Sequence, residues 1–317
     1  MVRLKVKKIT VFGSINMDLV ARSPRLPVPG ETVLGRDFFT APGGKGANQA
    51  VAAARLGIPT QLVGRVGNDN FGRSALTNLQ TFGVQTDRIL VDETAHTGVA
   101  IIAVDDTGQN HIIVVPGANG RVNETDVENL INLLDNAAVL LLQFEIPLTA
   151  VLSAAKAAQN AGVRVILDPA PAQVDVPDEL YPLVDIITPN EIEAGQLVGF
   201  PVNNFETAAK AASVLRQKGV GTAIVKLGAQ GVCCATAEST FFVPAFPVQA
   251  VDTVGAGDAF NGGLAAALAE GQTLHEAVVW GAAAGAISTT KSGAMSSMCD
   301  RATFDTFLIK EWRTGEF

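Results

Sequence analysis

"DTVGAGDAFNGG" runs from Asp252 to Gly263 and continues into the alanine-rich "LAAALAEG". Glycines and an acid directly ahead of a small-residue apolar run predict a turn and then a buried helix, near 256–270. Glycine lets a ligand approach the backbone, and a helix start offers N–H donors that no carbonyl of the helix can use. The amides of Ala256, Gly257 and Asp258 are therefore candidates for an anion hole. Asp258 is either a capping acid or the base in a reaction on an anion. An aspartate near its ordinary pKa of ~3.9 is a weak base, which phosphoryl transfer tolerates because it depends mostly on positioning and charge neutralisation.

Outward from this stretch, strand-like apolar runs alternate with helical patterns. "KKITVFGSINMDLV" predicts a buried strand at 7–13 and then an extended segment. "GGKGANQAVAAARLG" opens a helix whose Ala47, Ala50, Val51 and Ala54 form one stripe. A strand at "TQLVGRVG", a helix from Phe71 to Phe82, a strand at "AVLLLQFE" and a helix from Pro147 to Ala161 follow. "VRVILDPAPA" is a strand ending at Asp168, and "VDIITPNEIEAGQLVG" is strand then helix. A helix at 205–218, a strand at "TAIVKLG", short strands near 231–236 and 240–244, and helices near 274–290 and 303–312 complete the chain. Such units predict a three-layer α/β/α fold around a mostly parallel sheet, in one domain over 1–317. Two insertions break the pattern. Residues 16–40 are extended and proline-broken, and at 97–116 two β-branched runs flank Asp106–Gly108 as a hairpin. Together they predict a small accessory β-sheet.

The chain has 317 residues, 48% apolar and 17% charged, so a large core is expected and disorder is not. A net charge of −8 argues against a nucleic-acid or anionic-membrane surface. No apolar run approaches the ~18 residues of a membrane span, and no signal-peptide pattern follows "MVRLKVKKIT". Cys233, Cys234 and Cys299 are odd in number and lack a CxxC pair, which predicts reduced thiols and a cytoplasmic protein.

In open parallel sheets, ligands bind beyond the carboxyl ends of the strands. Asn16 and Asp18 share one side of an extended segment there; they suit the paired hydroxyls of a polyol, or form an Asx turn. In "PGGKGANQ", Gly43 and Gly44 permit close approach, and Lys45 and Asn48 share a face of the first helical turn. This is not a Walker A loop. Glu145 emerges from an apolar strand and needs a partner, a ligand or solvent. Asn190 and Glu193 could hold a hydrated magnesium ion, or Asn190 could be a plain N-cap.

The motifs "GSINMDLV", "PGETV", "GGKGANQAVAAARLG", "VGNDNFG", "TGVAII", "DPAPA", "DIITPNEIEA" and "VDTVGAGDAFNGG" occur in an order that resembles the ribokinase-like (PfkB) family of sugar kinases over nearly the whole chain. The resemblance implies ATP-dependent phosphorylation of the ribose 5-hydroxyl. It implies sugar contacts from Asn16, Asp18, Gly44, Lys45, Asn48 and Glu145, with Asp258 as catalytic base and Gly255, Ala256 and Gly257 as the anion hole. Asn190, Lys226 and Gly228 would line the ATP site, joined by Gly257, and Glu193 would support Mg²⁺ through water. A monovalent cation, usually K⁺, would sit between Asp252 and Val254 on one side and Ser288, Lys291, Gly293 and Ser297 on the other. Here "STTKSGAMSS" has Ser296 where proline is common. The accessory sheet would be the family's lid, closing over the sugar and forming a homodimer contact. A related kinase acting on 2-deoxyribose, another pentose or ketohexose, or a nucleoside is the alternative. A nucleoside would want an aromatic platform, and Tyr181, Trp280 and Trp312 are remote in sequence from the sugar motifs. A sugar-sensing protein without catalysis would have no need of the GAGD acid.

Overall fold

The computed structural model describes residues 7–173 and 175–312. The first strand, β1 (Lys8–Phe12), lies in the interior of a nine-stranded sheet. The chain leaves it into β2 (Asn16–Arg22) and β3 (Asp37–Gly43) and returns through α1 (Lys45–Arg55). It then builds one side of the sheet with β4 (Thr60–Gly67), α2 (Asn70–Thr81) and β5 (Gln85–Asp92). A second excursion forms the hairpin β6 (Gly98–Val104) and β7 (Asn110–Val115).

After α3 (Glu124–Leu134), the other side of the sheet is laid down by β8 (Ala137–Leu142), α4 (Leu148–Asn160), β9 (Arg164–Leu167) and β10 (Ile186–Ile187). Next come α5 (Glu191–Val198), α6 (Phe205–Gln217), β11 (Thr222–Lys226), β12 (Val232–Ala235) and β13 (Thr240–Val243). Three helices finish the chain: α7 (Ala256–Ala269), α8 (Leu274–Thr289) and α9 (Arg301–Trp312).

The strand order is β13-β12-β11-β10-β9-β8-β1-β4-β5. Pairing is parallel except where β12 meets β11 and β13. Alternation along the strands sends side chains to two cores. Ile9, Val11, Val139 and Leu141 face α1, α2, α7, α8 and α9, whereas Phe12, Leu140 and Leu142 face α3, α4, α5 and α6. The expected three layers are therefore present. The two insertions pair as a separate four-stranded sheet, β3-β2-β6-β7, in which β2 and β6 run parallel.

Two elements were not anticipated. β5 is a half-exposed edge strand whose polar residues hide its period. α3 opens with Asn123 and Asp126 in a reciprocal capping box, a signal present in "NETD". α9 begins at Arg301, two residues earlier than expected. β8 ends at Leu142, so Glu145 stands three residues beyond the strand rather than at its end.

Candidate active site

The carboxyl ends of β1, β8, β9, β10 and β11 open on one rim, and the N-terminus of α7 points into it. β1 and β8 are parallel neighbours, but successive strands are added in opposite directions on either side of them, the switch point at which open α/β sheets bind ligands. At this point Glu145 gathers three groups, from the turn after β1, the start of β2 and the start of α1. Its Oε2 accepts from Ser14 Oγ at 2.5 Å, from the Lys45 amide at 3.1 Å and from Asn16 Nδ2 at 3.4 Å. The carboxylate thus has the partners that burial demands. Asn16 is oriented from behind by Asn119, whose Nδ2 donates to Asn16 Oδ1 at 2.7 Å. Asn119 also bonds both backbone groups of Ile15.

Gly44 precedes α1 with φ +92°, and a Cβ there would lie 2.7 Å from the Asn16 amide, so only glycine lets the two segments meet. Asp18 lies nearby on β2 and accepts no hydrogen bond among the described residues. Burial, and then the charges of Glu145 and Asp258, push its carboxyl up to about 7.

Asp258 sits in the first turn of α7 and is buried. Asn48 and Gln49, from α1, grip its two oxygens: Asn48 Nδ2 donates to Oδ2 at 2.9 Å and Gln49 Nε2 to Oδ1 at 3.1 Å. The expectation of an ordinary pKa is corrected. Burial raises the Asp258 carboxyl to about 6, helped by Asp168 and opposed by Lys45 and the two amide donors. Lys45 shares the α1 face with Asn48. Burial works against its charge, but Asp258, Asp168, Glu145 and Glu193 more than offset that and raise its pKa.

At the helix start, Gly255 is the N-cap with φ +78°. The expected donor set needs one correction. The Ala256 amide donates to Thr253 O at 3.2 Å, whereas those of Gly255, Gly257 and Asp258 meet no protein acceptor among the described residues.

Beside Asp258 opens a cavity of about 730 Å³. Its floor carries Lys45, Asp168, Lys226 and the Gly255–Asp258 turn, and Asn190, Glu193 and Gly228 line it further out. Its far wall is apolar, with Val232, Phe246, Val248 and Ala286. Lys226 pairs with Asp168 at 3.1 Å. Asn190 caps α5 in a reciprocal box with Glu193, so the capping reading of this pair holds; only one Glu193 oxygen is committed, to the Asn190 amide at 2.8 Å. Burial and then Asp168 raise the Glu193 carboxyl above its usual range.

The residues expected to hold the monovalent cation are brought together only in part. Asp252 accepts from the Gly293 amide at 2.8 Å and from the Val254 amide at 3.0 Å, joining the two loops. Ser288 Oγ and Ser297 Oγ instead donate to carbonyls of their own turns, Gly285 and Ala294, and Lys291 is exposed. No group of three His, Cys, Asp or Glu side chains suited to a metal occurs among the described residues. Tyr181 is buried in the second core and Trp280 packs on Phe304, so neither offers a platform at the rim. The Trp312 side chain lies outside the described residues.

Sequence reasoning missed Ser14, Gln49, Asn119, Gln143 and Asp168 as members of this network. Asp168 carried the same signal as Glu145, an acid just past an apolar strand. Gln49 carried another, a polar side chain among alanines.

The family model of the pfkB family carbohydrate kinases matches residues 6–301. The ribokinase of Haemophilus influenzae is 44% identical over 295 residues, 93% of this chain and 96% of that protein. The ribokinase of Mus musculus is 40% identical over 293 residues, 91% of each chain. Among solved structures, Arabidopsis thaliana ribokinase complexed with ribose and ATP matches with a TM-score of 0.88 and 36% identity, covering 95% of this chain and 98% of that one. A putative ribokinase II from E. coli in complex with ATP and Mg²⁺ matches with a TM-score of 0.81 and 26% identity, covering 96% and 99%.

Proposed function

From its membership of the pfkB family of carbohydrate kinases, to which this chain belongs, we propose that it transfers the terminal phosphoryl group of ATP to the 5-hydroxyl of D-ribose. The observation that carries this reading is the meeting of Asn48 and Asp258. They are 210 positions apart and 2.9 Å from each other, and Asp258 also lines the cavity. The relatives named as ribokinases, and the one complexed with ribose and ATP, support the choice of sugar and nucleotide.

Asn16, Asp18 and Glu145 hold the sugar hydroxyls, with Gly44 leaving room and Lys45 and Asn48 closing the inner side. The apolar cavity wall takes the nucleotide base, and Asn190, Lys226 and Gly228 line its phosphate end. Asp258 accepts the proton of the attacking hydroxyl. As the new O–P bond forms, the bond from the terminal phosphorus to its bridging oxygen breaks and its electron pair leaves with ADP. The amides of Gly255, Gly257 and Asp258, with Lys45 and Lys226, neutralise the charge on the phosphoryl oxygens. The uncommitted Glu193 oxygen, in a site where burial and Asp168 disfavour its own charge, fits a water-bridged Mg²⁺. When bound with the nucleotide, that ion adds charge neutralisation. K⁺ at the Asp252–Gly293 loop junction would firm the anion hole from behind; turnover compared in K⁺ and in a large organic cation tests it.

The four-stranded sheet acts as a lid, and its exposed Phe38, Ile101 and Ile113, on one face of it, form the contact of a homodimer. No described helix is long and apolar enough to cross a membrane, and the three cysteines are buried and unpaired with one another, which supports a cytoplasmic setting.

The decisive test is Asp258→Asn. Turnover should be lost, while ribose binding measured by calorimetry stays within a few-fold. Normal turnover in that variant would remove Asp258 as the base.

A further inference from the structure

Gln49 follows Asn48 on α1 and is fully buried. Every polar atom of its carboxamide is engaged. Nε2 donates to Asp258 Oδ1 at 3.1 Å and to Asp168 Oδ2 at 3.0 Å, and Oε1 accepts from Gln143 Nε2 at 2.7 Å. Both partners of Nε2 are carboxylates, and ionised carboxylates only accept. The chemistry therefore fixes which end of the amide faces them. Gln143, just past β8, is also fully buried and holds the amide from the opposite side. With Asn48 on Oδ2, each Asp258 oxygen receives one donor. The carboxylate plane is thereby locked, and each oxygen keeps a lone pair.

We propose that Gln49 is a positioning residue for the proton acceptor: it fixes the plane of Asp258 and, by giving one N–H to each, ties Asp258 to Asp168. This rests on the reading of Asp258 as the base. A primary amide is a neutral group that can donate to two anions at once. Glutamate has the same shape but no N–H, and methionine has the same length but no donor. The other charged groups around Asp258 do not substitute for it. Lys45, on α1, is shared among four carboxylates. Lys226, from β11, is paired with Asp168. Asp18 on β2 and Asp168 beyond β9 both repel the ionised form.

The test uses the whole enzyme with Gln49→Met, Gln49→Glu and Gln143→Leu. Asp258 is followed by ¹³C NMR of labelled aspartate carboxyls, its signal identified by loss in Asp258→Asn. Losing one hydrogen bond to the ionised form should raise the Asp258 titration by about one unit in Gln49→Met. The acidic limb of kcat/KM should move by the same amount, and kcat at pH 7 should fall at least ~10-fold. Ribose binding should stay within about threefold, because every polar atom of the Gln49 carboxamide is already engaged within the protein. Gln49→Glu, which adds a third carboxylate, should move both readouts further. Gln143→Leu should give a smaller shift in the same direction, and it carries the test if Gln49→Met does not fold. An unmoved titration and an unmoved limb in the folded variants, with Asp258→Asn inactive, would overturn the role of Gln49 alone. An active Asp258→Asn would overturn this role together with the assignment of the base.

Discussion

Asp258 is held between two opposed demands. Burial favours its protonated form, while Lys45, Asn48 and Gln49 favour the ionised one, and the balance sits at about 6. In the proposed reaction, only the ionised form can accept a proton from the sugar. The value of kcat/KM should therefore fall about tenfold per unit below pH 6 and level off above pH 7; a rate independent of pH between 5 and 7 would contradict this. Asp18 illustrates the cost of such a pocket. Its carboxyl is raised from 3.8 to about 7, so the folded state binds its proton more tightly than the unfolded state does. The stabilisation is complete below pH ~4 and is lost as pH rises through 7, at most about 4 kcal/mol at pH 8. Asp18→Asn removes that charge and sacrifices no hydrogen bond. It should raise Tm at pH 8 by a few degrees while weakening ribose binding at least ~10-fold; an unchanged or lower Tm would count against the strained carboxylate. The residues proposed to face the sugar, such as Asn16 and Lys45, were legible as site candidates because motif and strand-end position mark them. Gln49, Gln143 and Asn119 were not, because each acts through a partner 94 to 209 positions away, and spacing does not encode that distance.

Among the elements, the contact of α1 with α7 decides whether the site exists. Both helices are built from small residues where they cross. A Cβ on Gly262 would fall 2.4 Å from Ala52 Cβ, so nothing larger than glycine fits without pushing the helices apart. Gly262→Ala should cost 1–3 kcal/mol of stability, roughly the usual penalty of overpacking. It should also lower kcat on the order of 100-fold, because it displaces Asn48 and Gln49 from Asp258. Thermal melting and steady-state kinetics together check this; loss of stability with kcat intact would show that the crossing does not set the geometry. The alanine-rich helices were readable from composition. Their crossing was not, since "GANQAVAAA" and "DAFNGG" look like ordinary buried faces until they are seen to touch. β5 escaped notice for a different reason. It is an edge strand with a mixed face, so burial imposes no clean alternation on it.

For the molecule as a whole, the alternation of strands and helices was visible throughout, because parallel strands buried on both faces read as continuous apolar runs. The accessory sheet was visible because its residues break that alternation. The face it offers to a partner copy is testable: Ile113 is 63% exposed and pairs across the strands with Ile101. Ile113→Asp should convert a dimer into a monomer in light scattering and weaken ribose binding several-fold; an unchanged dimer would place the contact elsewhere.

The strand order has a bearing on ancestry. Starting from β1, the chain lays down one wing of the sheet and then crosses back to lay down the other. Almost every group proposed to meet the acceptor precedes Pro147, and almost every group proposed to meet the donor follows it. One recombination event in the short turn from Ile146 to Leu148 would therefore graft a foreign acceptor preference onto an unchanged nucleotide half, provided the incoming helix keeps glycine-tight contact with α7.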